Sequence, residues 1–406
     1  MRTTLPFRCG TAPRCSEPVR AGPLGGAVAA LPLPFGIEEE FFLTDLERRS
    51  VVRQPHRAFR DACKAALGAQ VSRELLRSQV ELVTPILHDL GSAAEVLERH
   101  RRQLGSVAAS FGMGLVAAGT HPLAQWREQR ATALPRHEWL SDDFQIIAQR
   151  NLLCGLHVHV EVPVHLDRIR VMNGVIPGLP MLLALRASSP FWARRHTGLM
   201  SYRQAAYDEW PRTGIPEIFD NEAAYRRYVS LLQVTGSLGD ASSIWWAIRP
   251  SSRYPTLELR IADACPLIGD ALCIAGLFRV LVRHASTHLA SPGPPEGTTR
   301  LIAEENRWRA KRFGSAASFL DADRGVLLTL AEWLEATRER CGAAVAELDA
   351  EAVFDEALEI AREGGSAQRQ LATYDALRAR DVPRDRCLVA VVDALLAETR
   401  SGINPP

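Results

Sequence analysis

Period-two or β-rich patterns of apolar and polar residues, bounded by Gly or Pro, run through FGIEEEFFLT (35–44), QVELVT (79–84), GLVAAGT (114–120), GLHVHVEV (155–162) and TLELRIAD (256–263). They predict five strands. Helical spacing fills the intervals, as in AAEVLERHRRQLGSVAASF (93–111), and from about residue 267 onward the pattern reads as helix after helix. Strands separated by unequal insertions do not make a regular βαβ alternation. The expected class is therefore α+β, a mainly antiparallel sheet with packed helices and a helical C-terminal part. SPGPPEGTT (291–299) breaks helix and strand alike and is expected to be a loop rather than a domain boundary. The expected organisation is a flexible N-terminal extension over 1–34 and a single catalytic domain over 35–400.

Composition narrows the chemistry. Of 406 residues, 47% are apolar and 23% charged, the balance of a globular chain that buries a large core. A net charge of +1 with no long run of one sign leaves no electrostatic footprint for nucleic acid or an anionic membrane, so small molecules are the expected partners. The 48 basic residues include only two lysines, Lys64 and Lys311, and neither sits in a phosphate-loop or Schiff-base motif. Phosphates would have to be met by arginine, backbone and metal. Eight scattered cysteines without a C-x-x-C pair point to a reducing cytoplasm. No membrane-spanning helix or signal peptide is expected.

Side chains alternate faces along a strand, so Glu38 and Glu40 project together while Glu39 points the other way. At roughly 7 Å they repel by about 2 kcal/mol at an effective dielectric near 20, and a positive partner is expected. His157 and His159 share a face in the same manner, as do Glu258 and Arg260, while Glu81 lies opposite Val80 and Leu82. Each feature alone has a plain structural explanation: an exposed strand acid, a hydrogen-bonded buried histidine, a simple ion pair. Acid or imidazole on one face of four strands instead predicts the floor of one charged cleft. Oxygen ligands with occasional imidazole suit Mg²⁺ or Mn²⁺ better than zinc. Gly112, Gly114 and Ala117 match G-x-G-x-x-A, but they follow a helix and lead into a strand, the reverse of a dinucleotide fold.

At these residues the chain resembles the carboxylate-amine ligase branch of the type 2 glutamate-cysteine ligases. FGIEEEF, QVELVTP, AAGTHPLAQW, CGLHVHV, SSPFW followed by TGLMSYR, WPRTGIPEIF, WWAIRPSSRYPTLELRIAD, ENRWRAKRFG and AQRQ occur in the family's order over about residues 35–370. The resemblance implies a glutamine synthetase-like core, a curved antiparallel sheet forming a funnel. It implies ATP with Mg²⁺ or Mn²⁺ as cofactors, a small carboxylate and an amine as substrates, and assembly into a homo-oligomer by analogy only. Carried over by residue, Glu38, Glu40, Glu81, His157, His159 and Glu258 are the implied metal ligands. Arg260 and Glu258 are the implied catalytic pair, and Arg260 and Arg203 the implied cofactor and cleft contacts. Trp245, Trp246 and Trp308 fit packing or ligand contact equally. Arg194, Arg195 and His196 depart from the family pattern, where a glycine and an acid commonly precede TG. That departure points to a substrate other than the glutamate and cysteine pair, with weak glutamate-cysteine ligation.

The implied reaction is phosphoryl transfer from ATP to a carboxylate, giving an acyl phosphate that an amine attacks. A metal-dependent amide hydrolase using His157 and His159 is the competing enzyme. A catalytically silent nucleotide-binding regulatory protein is the alternative outside enzymes. Removing Glu40 or Glu258 is expected to relieve repulsion and leave the fold intact.

Overall fold

The computed structural model describes residues 33–133, 135–289 and 297–401, with side chains of 135–137 excepted. The expected extension over 1–34 lies outside the described residues except for its last two, and most of the expected loop at 291–299 lies outside as well. Leu33 is buried, and Pro34 accepts a hydrogen bond from the Glu161 amide at 2.9 Å. The folded unit is thus already under way before residue 35. All of these described residues belong to one compact unit.

Seven strands form its sheet: β1 Phe35–Asp45, β2 Val71–Arg73, β3 Gln79–Val83, β4 Met113–Val116, β5 Leu156–Glu161, β8 Ile248–Pro250 and β9 Thr256–Leu259. Two short hairpins, β6 Phe191–Trp192 with β7 Arg195–His196 and β10 Ser318–Asp321 with β11 Val326–Thr329, stand apart from it. The sheet is open, in the order β2-β3-β1-β5-β9-β8, with β4 pairing the far end of β1. Its pairings are antiparallel. All five expected strands are present. The short strands β2 and β8 and the hairpin within the helical C-terminal part were not foreseen.

One face of the sheet is apolar. Phe35, Ile37, Leu156, Val158, Val160, Leu257 and Leu259 are buried there with residues of the helices Leu90–Ala109, Arg168–Val175 and Ile268–Thr287. Residues 168–185 are by length and composition apolar enough to span a membrane, which the sequence reading overlooked, yet 78% of the stretch is buried inside the protein. A 3₁₀ turn at Ile176–Gly178 also interrupts it.

Glu39 points into this apolar face and is 3% exposed. Arg101, on the helix Leu90–Ala109, meets it in a two-pronged ion pair at 2.5 and 3.2 Å. The same guanidinium donates to the carbonyls of Pro266 and Cys265. Removing either member would strand a buried charge, at a cost of about 3 to 5 kcal/mol.

His121 supplies a pH-sensitive element of the core. It is 1% exposed, its Nδ1 accepts from the Leu123 amide at 3.2 Å, and its ring meets Phe42 edge-on. Burial pushes its pKa from the ordinary 6.5 down to about 3. Below pH 6.5 the unfolded chain takes up a proton that the folded chain refuses, so this contribution to stability is present above 6.5 and is lost as pH falls toward 3. The loss at pH 5 is about 2 kcal/mol. Melting temperature should therefore fall more steeply between pH 7 and pH 5 in the native protein than in His121→Asn. Parallel slopes would show that His121 does not carry the effect.

Candidate active site

The opposite face of the sheet is charged, and strand register builds it. Glu81 pairs with Glu40 and Ser72, Glu38 with His157, and Glu258 with His159 and Arg249. These side chains line a cleft of about 530 Å³ together with Glu74, Arg203, Tyr207, Trp210, Trp245 and Arg260. Every implied site residue therefore lies in one cleft. Alternation puts the strand side chains on this face and register makes them neighbours, while Arg203 enters from the helix Tyr202–Tyr207.

Three groups of potential ligand atoms lie within 4.8 Å of one another: Glu38, Glu81 and His157; Glu38, His159 and Glu258; and Glu40, Glu74 and Glu81. Glu38 joins two groups and Glu81 two. His157 Nδ1 sits 3.2 Å from Glu38 Oε2, and His159 Nε2 sits 3.2 Å from Glu38 Oε1. Burial opposes charge on Glu38, but these imidazoles outweigh it and hold the carboxyl well below its usual range. The partner of Glu38 is therefore imidazole, with burial holding His157 below its ordinary range, and the arginine goes to Glu39 on the far face.

The other acids are less well compensated. Burial, then the charge of Glu74, raises Glu81 well above the carboxylate range. Burial, then Glu40, pushes Glu74 up to about 8. Glu81 accepts from the Ser72 hydroxyl, and Glu40 accepts from the Gly155 amide at 2.6 Å. His157 Nε2 is buried without a hydrogen-bond partner among the described residues and lies 3.8 Å from Glu40 Oε1. An acid-rich pocket with an unpartnered imidazole nitrogen fits a divalent cation bound by oxygen and nitrogen.

A cationic wall closes one side. Arg249 grips Glu258 with Nε and Nη2 at 2.8 and 3.0 Å, while its Nη1 is fixed by the carbonyls of Ser242 and Ile244. Arg260 also pairs with Glu258 and donates to the Tyr207 hydroxyl at 3.2 Å. Burial disfavours the Glu258 charge, but Arg260 and Arg249 more than offset it and hold the carboxyl far below its ordinary range. The simple ion pair considered from the sequence is thus present, extended by a second arginine. Removing Glu258 would strand both guanidinium groups, so an undisturbed fold is no longer expected for that variant.

Arg203 is 2% exposed, and its guanidinium donates to the carbonyls of Arg260 and Ala262. Buried Asp263 lies 3.9 Å away and accepts from Ser188, Ser189 and Ser201. Arg203 packs so closely on Gly155 that a Cβ there would clash with its Nη2 and would force the guanidinium to move. The aromatic residues divide: Trp245 lines the cleft, Trp246 stacks on Tyr228 in the core, and Trp308 is 49% exposed.

Sequence reasoning missed Glu74, Arg249 and Tyr207. Glu74 lies in the connection between β2 and β3, without periodicity, and Arg249 sits on a strand of three residues. The register of β8 on β9 carries the signal for Arg249. Residues 194–196 are a correction: Arg194, Arg195 and His196 are exposed around the β6-β7 hairpin and do not line the cleft. Their added charge faces solvent, where it contributes little to recognition. Arg195→Gly with His196→Asp should leave relative turnover of different amines unchanged within about twofold. A tenfold change in that ratio, about 1.4 kcal/mol, would restore them as specificity residues.

A family model described as glutamate-cysteine ligase family 2 matches residues 34–387. A protein of Ectopseudomonas mendocina (strain ymp) named "Putative glutamate--cysteine ligase 2" is 51% identical over 365 residues, covering 90% of this chain and 96% of that protein. A protein of the same name from Pseudomonas fluorescens is 43% identical over 371 residues, covering 91% of this chain and 96% of the relative. Among solved structures, a glutamate–cysteine ligase of Francisella tularensis in complex with AMP superposes with a TM-score of 0.66 at 13% identity, covering 91% and 89% of the two chains. A bifunctional glutathione synthetase of Pasteurella multocida gives the same TM-score at 16% identity, with 90% of this chain covering 52% of that one. These two structures share the fold.

Proposed function

The chain belongs to the glutamate-cysteine ligase family 2, and from that premise we propose that its cleft joins a small carboxylate to an amine at the expense of ATP. The observation that carries the reading is the convergence of five glutamates, two histidines and five arginines on one cleft. In the proposed reaction a substrate carboxylate oxygen attacks the γ-phosphorus of ATP, and ADP leaves. The amine then attacks the resulting acyl phosphate, phosphate leaves, and the nitrogen loses a proton to give the amide.

Glu38, Glu40, Glu74, Glu81, His157, His159 and Glu258 would hold Mg²⁺ or Mn²⁺, which when bound supplies charge neutralisation for nucleotide phosphates. Arg260 stabilises negative charge developing on the transferred group, and Arg249 fixes Glu258 and hence Arg260. Arg203 braces the Arg260–Ala262 backbone beneath them. Tyr207, Trp210 and Trp245 supply an aromatic side to the same cleft, suited to the less polar part of a substrate or nucleotide. A cytoplasmic setting belongs to the same proposal, supported by the free, buried thiols of Cys63, Cys154, Cys265, Cys273, Cys341 and Cys387.

The test is ADP release from ATP and Mg²⁺ with a panel of acids and amines, glutamate and cysteine included, followed by mass detection of the amide. ADP release that requires both an acid and an amine is the expected result. Amide hydrolysis without ATP would favour the two-histidine hydrolase, and no turnover with any pair would favour a silent nucleotide-binding protein.

A further inference from the structure

A further cavity, of about 290 Å³, shares Ser72 and Arg73 of the edge strand β2 with the acidic cleft. Arg60 and Lys64, on the helix Arg57–Leu67, line it with Arg73 and Arg77, and Asp61 is its one acidic residue. Phe59 contributes to an apolar floor. Arg60 and Lys64 stand four residues apart on one helix, a spacing at which like charges repel.

The cations are not neutralised by the protein. Among the described residues none of Arg60, Lys64, Arg73 and Arg77 has an ion-pair partner, although such partners are abundant elsewhere in the chain. Arg77 spends its Nε on the Ala131 carbonyl, and the Arg60 Nε is buried with no acceptor. Burial first, then repulsion from Arg73 and Arg77, weakens the hold of Arg60 on its proton, against a pull from Asp61.

We propose that this cavity is an oxyanion-binding site, for a compact ligand carrying phosphate or carboxylate oxygens, separate from the ligase cleft. Guanidinium groups bind such oxygens with two parallel hydrogen bonds, and Lys64 adds a point charge at the rim. The floor accommodates a small apolar body behind the anionic end. Ser72 and Arg73 border both this cavity and the cleft, so an anion held here bears on the strand whose Ser72 donates to Glu81.

The site is tested by thermal melting of the full chain, without divalent metal, in inorganic phosphate or citrate against chloride at matched ionic strength. Three proteins are compared: wild type, Arg60→Gln with Lys64→Gln, and Arg260→Gln. Wild type should gain about 3 °C at saturating phosphate or citrate, and whichever anion gives the larger gain identifies the preferred chemistry. Arg260→Gln should keep the gain, while Arg60→Gln with Lys64→Gln should lose it and melt at least as high as wild type in chloride. The proposal is overturned if neither anion stabilises wild type, if the gain survives in the double variant, or if Arg260→Gln alone abolishes it. A double variant that melts several degrees lower in chloride would assign the two cations a structural role and overturn it as well.

Discussion

Glu81→Gln is expected to lower ATP turnover by at least ~10²-fold while leaving the melting temperature unchanged or raised. The size of the kinetic loss follows from removing a ligand of the cation that would neutralise phosphate charge in the transition state. The stability side follows from the surroundings. Glu81 lies within a group containing Glu40 and Glu74 and within another containing Glu38, and burial with those neighbours raises it well above the carboxylate range, a cost to folding at neutral pH that an uncharged side chain does not carry. Glutamine keeps an oxygen to accept the Ser72 hydroxyl and removes the charge that the site raises in energy.

Glu258→Ala gives the opposite stability result and is the control. Its carboxylate is the shared partner of Arg249 and Arg260, and its loss leaves two largely buried guanidinium groups facing one another. The cost is about 3 to 5 kcal/mol, visible as a melting temperature lower by several degrees. Both variants should be inactive, but for different reasons. Melting curves and ADP release on the same preparations separate them: if both variants melt with wild type, the Arg249–Glu258–Arg260 cluster is not structural, and if Glu81→Gln melts much lower, the acids are not under repulsion.

That contrast marks what the sequence carries. Alternation along FGIEEEFFL, QVELVT, GLHVHVEV and TLELRIAD assigns Glu38, Glu40, Glu81, His157, His159, Glu258 and Arg260 to faces, because side-chain direction in a strand is a local property. It also separates Glu39 from its neighbours, although its partner Arg101 lies on a helix 62 residues away. Partners, in contrast, are set by register and by loops. Glu74 enters the cleft from a connection, and Arg249 enters on a strand too short to show a period. The stretch 194–196 failed for the reciprocal reason. A local excess of charge says nothing about whether it faces the cleft, and here the hairpin turns it outward.

ATP is expected to bind at least about 100-fold more tightly in Mg²⁺ than after thorough chelation. The argument lies in how the cleft's charges are committed. Glu258 engages Arg249 and Arg260, and Arg203 is committed to backbone carbonyls, so a triphosphate entering the metal-free cleft meets Glu38, Glu40, Glu74 and Glu81, with the exposed Arg73 and Arg253 as the remaining cations. One uncompensated carboxylate 5 Å from a phosphate charge opposes binding by about 3 kcal/mol at an effective dielectric of 20, which is a factor of about 100 in Kd. A divalent cation held by these carboxylates would supply the positive charge that reverses the sign of that interaction. Mg²⁺ alone should likewise raise the melting temperature, since it relieves repulsion already present in the free protein, and the rise should shrink in Glu81→Gln. Titration calorimetry of ATP with and without Mg²⁺, with a non-hydrolysable analogue as a check on turnover, decides the matter. Equal affinities in the two conditions would mean that the acids do not face the phosphates, and the reading of this cleft as a metal-bridged ATP site would fail.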